Sequence, residues 1–319
     1  LWALVPQVDP LLDESSRLRP KRLKMLRSGK RRLASAAKLE AWTARPMSQV
    51  GAEVTGINLH TALAEADTVA IAERLQVEVD RHALLLFRGQ SNFSPQNHLA
   101  LASLLGKVFP LPPRFQHLQS PHRDILRVSN NADEGFIGVG TTGWHIDGVS
   151  YATPFGYSLL HVVCPPTRGP TLFLPLYPLA ARVHTAHCPA WERLWMQCGQ
   201  GGKAVHHPLL FAHPRTQRAS VCLGKTSGLV WDKGSAQERA ADAGATTSML
   251  AELSASISEA SGTVYRHEWR AGDLVLLDNL AVAHLAPPET QEAPETAGLR
   301  VLHRVVVAGI GALRGLSED

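Results

Sequence analysis

Apolar positions follow two periodicities along the chain, and the change from one to the other divides it. In DTVAIAERLQVEVD, residues 67 to 80, they recur at helical spacing, and the run ALLLF at 83 to 87 is short enough for a buried strand. Ser94 followed by Pro95 offers an N-cap and a proline at the first helical position, which predicts a helix ending near Gly106. A polar, glycine-marked opening, VGAEVTGINL, precedes this block. From about residue 125 the texture becomes short β-rich runs: FGYSLLHVV, PTLFLPL, ASVCL, GTVYRHEW, DLVLLD and LRVLHRVVV, separated by Gly, Pro and Asp. Two further helices are predicted, around residues 190 to 198 and 236 to 259. No internal repeat is evident. Many short strands with long excursions predict an α+β fold: a double-stranded β-helix (jelly-roll) core or a related double-sheet barrel, with flanking helices, and not a parallel α/β sheet.

Composition changes this picture little. The chain has 319 residues, 45% of them hydrophobic, enough to bury a sizeable core. No apolar run approaches the roughly 20 residues that span a bilayer, and the N-terminus lacks the order of a secretory signal. Four scattered cysteines do not make a disulfide framework, so an intracellular, reducing location is expected, cytoplasmic or organellar. Charge is more informative. Residues 17 to 38 hold ten Lys or Arg and no acid, and setting those ten aside leaves 22 basic against 28 acidic residues. Residues 1 to 40 therefore read as a basic, disordered arm, open also to an acidic-surface or organelle-targeting reading, and residues 41 to 319 as one domain. Neither a nucleic-acid partner nor a membrane is expected; homo-oligomerisation stays open.

Several motifs fail on context. GVGTTG at 138 to 143 has the letters of a dinucleotide fingerprint but runs into WHIDG and a β-like segment, where a helix is required; it reads instead as a loop beside a site. His-Arg-Asp at 122 to 124 lacks the kinase asparagine five residues on, position 129 being Ser129. His184, His187, Cys188 and Cys198 match no structural-zinc spacing. His145 and Asp147, within TTGWHIDG, are a stronger pair: in a strand, residues two apart share a face. Far downstream, His284 follows GDLVLLDN, and RVLHR brings Arg300 and Arg304 to one strand face with His303 on the other. Two histidines and one carboxylate form the facial triad of non-haem Fe(II) oxygenases.

In these residues the sequence resembles the taurine dioxygenase (TauD/TfdA) family of Fe(II)/2-oxoglutarate-dependent dioxygenases. The likeness covers roughly residues 48 to 308: VGAEVTGINL, ALLLFRGQ, SPQNHLALASLLG, WHID, GPTLF, HHPLLFAHPRT, GDLVLLDN and RVLHR, in the family's order. It implies that His145, Asp147 and His284 bind Fe(II). It also implies that Arg300 pairs with the distal carboxylate of 2-oxoglutarate, with Thr171 adding a hydroxyl hydrogen bond. Arg304, Thr141 and Trp144 would face the substrate. The implied cofactors are Fe(II), 2-oxoglutarate and O2, and the implied reaction hydroxylates a C–H bond of a small, anionic substrate while 2-oxoglutarate becomes succinate and CO2. Asp147 favours hydroxylation over halogenation, since no halide takes its place. KVFPLPPRF lacks the histidine of taurine-selective members, so taurine is not the expected substrate. The interval from His284 to Arg300 is long for the family, which leaves Arg304 as the alternative anchor. Two other readings of the triad remain: a zinc-dependent hydrolase using the same three ligands, and a catalytically silent binding protein on the same fold.

Overall fold

Capping residues and strand alternation set the architecture. The computed structural model describes residues 42–65, 67–187, 189–199 and 204–316; the basic arm over 1 to 40 and Cys188 lie outside the described residues. The chain first forms β1 (Thr43–Pro46), β2 (Ala52–Thr55), α1 (Leu59–Glu65), α2 (Thr68–His82), β3 (Leu84–Phe87), α3 (Pro95–Leu105), β4 (Leu126–Ser129), β5 (Tyr157–Cys164) and β6 (Thr171–Pro175). An excursion follows, with α4 (Leu176–His187), β7 (Leu194–Cys198), β8 (Val205–Pro208), β9 (Leu210–Ala212), β10 (Ala219–Val221), β11 (Gly228–Trp231), β12 (Arg239–Ala240) and α5 (Ala243–Glu259). The chain returns through β13 (Tyr265–His267), β14 (Leu274–Asp278), β15 (Val282–Leu285), the short α6 (Pro294–Ala297), β16 (Val301–Val307) and β17 (Arg314–Gly315).

Asp67 accepts a hydrogen bond from Val69 N at 3.0 Å and opens α2; Ser94 accepts from Asn97 N at 3.1 Å, with Pro95 first in α3. At the other end of α2, Ala83 takes a left-handed conformation (φ 63°), and its N–H donates to Val79 O, turning the chain directly into β3.

A seven-stranded sheet in the order β1-β2-β3-β14-β5-β16-β4 faces a three-stranded sheet in the order β13-β6-β15. Along β5, Tyr157 and Leu159 turn toward the helices and pack with Ile71, Leu75, Val79, Leu101, Leu276 and Val305. Their neighbours Leu160 and Val162 turn the other way, joining Leu86, Val275, Leu302, Phe173 and Val282 between the sheets. Leu174 and Ala283 point outward from the smaller sheet into a third core, where α4 and the excursion strands supply Leu179, Val183, Leu194, Met196 and Phe211. Each fully buried Val, Leu, Ile, Met or Phe among them contributes about 1.5–3 kcal/mol. This is the expected α+β jelly-roll arrangement, and no helix among the described residues is long and apolar enough to cross a membrane.

Two element predictions are corrected. Residues 190 to 198 are a short 3-10 turn, Ala190–Arg193, followed by β7, whose burial alternates as a strand requires. The helix in this region lies earlier, as α4, where Leu176, Leu179, Ala180 and Val183 repeat at helical spacing behind the apparent strand LFLPL. The second predicted helix begins at Ala243, not at residue 236, because Asp242 caps it by accepting from Ala245 N at 2.7 Å.

Candidate metal centre

β15 places His284 opposite Phe173 of β6, and Thr171 lies two residues away on the same face of β6, so both polar side chains look between the sheets. His145 joins this edge through a single antiparallel bridge: His145 N donates to His284 O at 3.2 Å, and His284 N to His145 O at 3.0 Å. The strand expected to carry both His145 and Asp147 is therefore reduced to one bridged residue. Asp147 already lies in the turn that follows. What brings its carboxylate round is Asn279, fully buried in the bend between β14 and β15. Asn279 Oδ1 accepts from Asp147 N at 2.7 Å, and its amide donates to Asp147 O at 2.9 Å and to Phe155 O at 2.8 Å. Gly148 makes the turn possible: its φ is +85°, and a Cβ there would sit 2.9 Å from Phe155 N. The result is one donor atom from each of His145, Asp147 and His284, all within 4.8 Å of one another.

The electrostatics suit a cation. Burial pushes the Asp147 carboxyl up, but Arg304, together with His284, His145 and the Ser158 hydroxyl, outweighs it and holds the group well below the usual carboxylate range. Arg304 Nη1 donates to Asp147 Oδ1 at 2.8 Å and Ser158 Oγ to Oδ2 at 2.8 Å. Burial, reinforced by the neighbouring His145, pushes the His284 imidazole down to about 3, so it stays neutral as a ligand must. His145 Nδ1 donates to Gly143 O at 2.8 Å, which fixes the tautomer and leaves Nε2 with a lone pair. An ionised carboxylate and two imidazoles at this spacing fit a divalent first-row metal.

Arg300, just before β16, is 3% exposed, and its Nε and Nη1 have no hydrogen-bond partner among the described residues. Nη2 donates to Thr171 Oγ1 at 3.4 Å, and Trp269 Nε1 donates to the same oxygen at 3.0 Å. Burial lowers the Arg300 pKa to about 10, which still leaves a cation at neutral pH. A buried guanidinium with two unused donors is matched by a carboxylate.

The other sequence candidates are placed differently. Arg304 stands at the triad itself, its Nη1 2.8 Å from Asp147 Oδ1. Thr141 is exposed and donates to Gly138 O at 2.9 Å; Trp144 packs partly buried against the excursion core. The GVGTTG segment lies beside the site, Gly140 O accepting from Ala286 N at 2.9 Å. His122 and Asp124 are held together in a surface loop, and His184 pairs with Glu192. Asn279, Ser158 and Trp269 escaped the sequence reading. Each appears there only as a letter of a strand run: Asn279 ends GDLVLLDN, Ser158 lies in FGYSLLHVV and Trp269 ends GTVYRHEW.

Comparison with known proteins bears on this arrangement. The model of the family described as "Taurine catabolism dioxygenase TauD, TfdA family" matches residues 43–306. An alpha-ketoglutarate-dependent sulfate ester dioxygenase of Pseudomonas putida is 26% identical, covering 82% of this chain and 87% of its own. Pentalenolactone F synthase of Streptomyces avermitilis is 28% identical, covering 82% and 92%. Among solved structures, a taurine dioxygenase from Burkholderia xenovorans superposes with a TM-score of 0.68 at 21% identity, covering 84% of this chain and 90% of that one. AAD-2 in complex with Mn(II) and N-oxalylglycine gives 0.65 at 21% identity, covering 86% and 99%.

Proposed function

The chain belongs to the TauD/TfdA dioxygenase family, and from that premise we propose that it is an Fe(II)/2-oxoglutarate-dependent dioxygenase hydroxylating a C–H bond of a small molecule, with 2-oxoglutarate converted to succinate and CO2. The observation that carries this reading is Arg300. A cation nine-tenths or more buried with two unsatisfied donors is costly unless a partner arrives, and a dicarboxylate co-substrate supplies that partner. A zinc hydrolase built on the same triad would leave those donors without a purpose.

Each residue then has a stated task. His145, Asp147 and His284 would hold iron, and Arg300 with the Thr171 hydroxyl would receive the distal carboxylate of 2-oxoglutarate. Iron and 2-oxoglutarate, when bound, supply the oxidising power for C–H hydroxylation with O2, chemistry beyond any side chain. Arg304 keeps Asp147 ionised and turned inward, while Ser158 holds its second oxygen. Asn279 fixes the Asp147 peptide, so the carboxylate does not search for its position at each binding event. The apolar packing between the sheets excludes water from the centre.

The test is consumption of 2-oxoglutarate and O2 with release of succinate, in a screen of small sulfonates, carboxylates, betaines and amino acids. Turnover that requires Fe(II) and is not supported by Zn(II) is expected. Zn(II)-dependent hydrolysis without succinate would overturn the proposal.

A further inference from the structure

The wall beside the metal centre is apolar, and its position is set by sheet register. Phe136 bridges Val128 in parallel along the outer edge of β4: Phe136 N donates to Arg127 O and Ser129 N to Phe136 O, each at 2.9 Å. Bridged residues share a face, and Val128 in turn pairs with Leu302, which stands on β16 between Arg300 and Arg304. The Phe136 ring is therefore on the inner face, two strand spacings, or about 10 Å, from β16, which carries Arg304 and is entered at Arg300. Four residues later Gly140 lies so close to the metal ligand that a Cβ on it would sit 3.7 Å from His145 Cε1. One short segment thus connects the sheet edge to the triad.

Its company is largely apolar, with one imidazole, His117, edge-on to the Phe136 ring at 5.8 Å. Leu111, Phe115, Phe136 and Val139 pack partly buried against the inter-sheet core, and the rings of Phe115 and Phe136 are 6.2 Å apart, edge to face. Leu118 and Ile137, on the same two segments, are exposed at 102% and 58%, an apolar continuation toward solvent. Cations are engaged elsewhere: Arg304 on Asp147, and Arg127 on Glu134 and His303. Arg114 stacks on the Phe115 ring at 4.6 Å and is exposed at the rim.

Resting on the dioxygenase reading, we propose that the substrate presents its reacting carbon in an apolar, ring-sized body, aryl or alicyclic, seated against Phe136, Phe115 and Val139, and that Phe136 determines this specificity. A compact, fully hydrated molecule such as taurine would leave the two rings half-exposed and gain nothing from them. A polar end on the substrate would point outward, toward the rim.

Matched probes isolate the apolar body from the polar end: 2-phenylethanesulfonate against ethanesulfonate, and 3-phenylpropanoate against propanoate. Each is added anaerobically to enzyme with Fe(II) and 2-oxoglutarate, reading its perturbation of the visible charge-transfer band, and then aerobically, reading succinate. The phenyl members are expected to bind at least ten-fold more tightly than their partners, with Phe136→Ala raising their half-saturation about ten- to hundred-fold and keeping the band itself. Phe136→Leu, which restores apolar volume, should recover part of that loss. Equal or tighter binding of the compact members, no response to either phenyl probe, or a preference indifferent to Phe136→Ala would each overturn the proposal. Absence of the band in the wild-type enzyme would instead sink the dioxygenase reading beneath it.

Discussion

Replacing Asn279 by alanine removes three hydrogen bonds from a side chain with no solvent exposure: one accepted from Asp147 N and two donated, to Asp147 O and Phe155 O. A typical buried hydrogen bond nets about 1 kcal/mol, and each polar group left unpaired costs about 1–3 kcal/mol. With some relaxation of the turn, the loss should be roughly 3–5 kcal/mol. That is a large part of the 5–15 kcal/mol typical of a domain, so unfolding is best followed in urea at low temperature. The same change frees the turn that presents the Asp147 carboxylate, and Fe(II) affinity should fall by about 10–100-fold. Asn279→Asp is no remedy, since it places a carboxylate oxygen against two carbonyl oxygens. The paired assay is urea unfolding of the apoprotein and anaerobic Fe(II) titration. Stability within about 1 kcal/mol of wild type together with unchanged Fe(II) affinity would show that Asp147 is positioned by something other than this clamp.

Three further outcomes are expected. Arg300→Met should abolish 2-oxoglutarate binding while Fe(II) still binds, and should leave the apoprotein as stable as wild type or more so, because an unpaired buried charge is removed; a clear loss of apoprotein stability would contradict that. His98, His161 and His303 are each lowered by burial first, His98 to about 3 and His303 to about 4, so their stabilising contribution is complete above about pH 6.5 and is lost as pH falls toward those values. Unfolding free energy should decline by up to about 1.4 kcal/mol per pH unit for each imidazole, and His98→Leu should flatten the slope by one proton; an unchanged slope in that variant would refute the assignment. Arg304→Ala should raise the Asp147 pKa and shift Fe(II) binding to higher pH, whereas a binding profile identical to wild type would mean that the Arg304 contact does not control the carboxylate.

The elements that were legible in the sequence carry local signals. Asp67 and Ser94 with Pro95 mark helix starts by side-chain chemistry alone, and the continuous apolar run at 84 to 87 is buried on both faces as a central strand must be. The α4 helix was hidden because Pro178 sits in its first turn and the apolar letters of β6 run into it without a break. For the centre, residue types at 145, 147 and 284 suggested the grouping, but the strand geometry assumed for the first two was wrong. The convergence comes from Asn279, 132 residues away, and Ser158, 11 residues on, through hydrogen bonds that no periodicity encodes. Arg304 shows the same limit: strand parity gave its face, while its partner depended on a turn built 157 residues away.

The central claim is that His145, Asp147 and His284 close on one ferrous ion beside a carboxylate-binding Arg300. Anaerobic addition of Fe(II) and then 2-oxoglutarate to the apoprotein tests it most directly. A weak visible charge-transfer band, saturating at one equivalent of each and absent in His145→Ala, is the result expected. A wild-type protein that shows no band, or a His145→Ala variant that keeps it, would contradict the account.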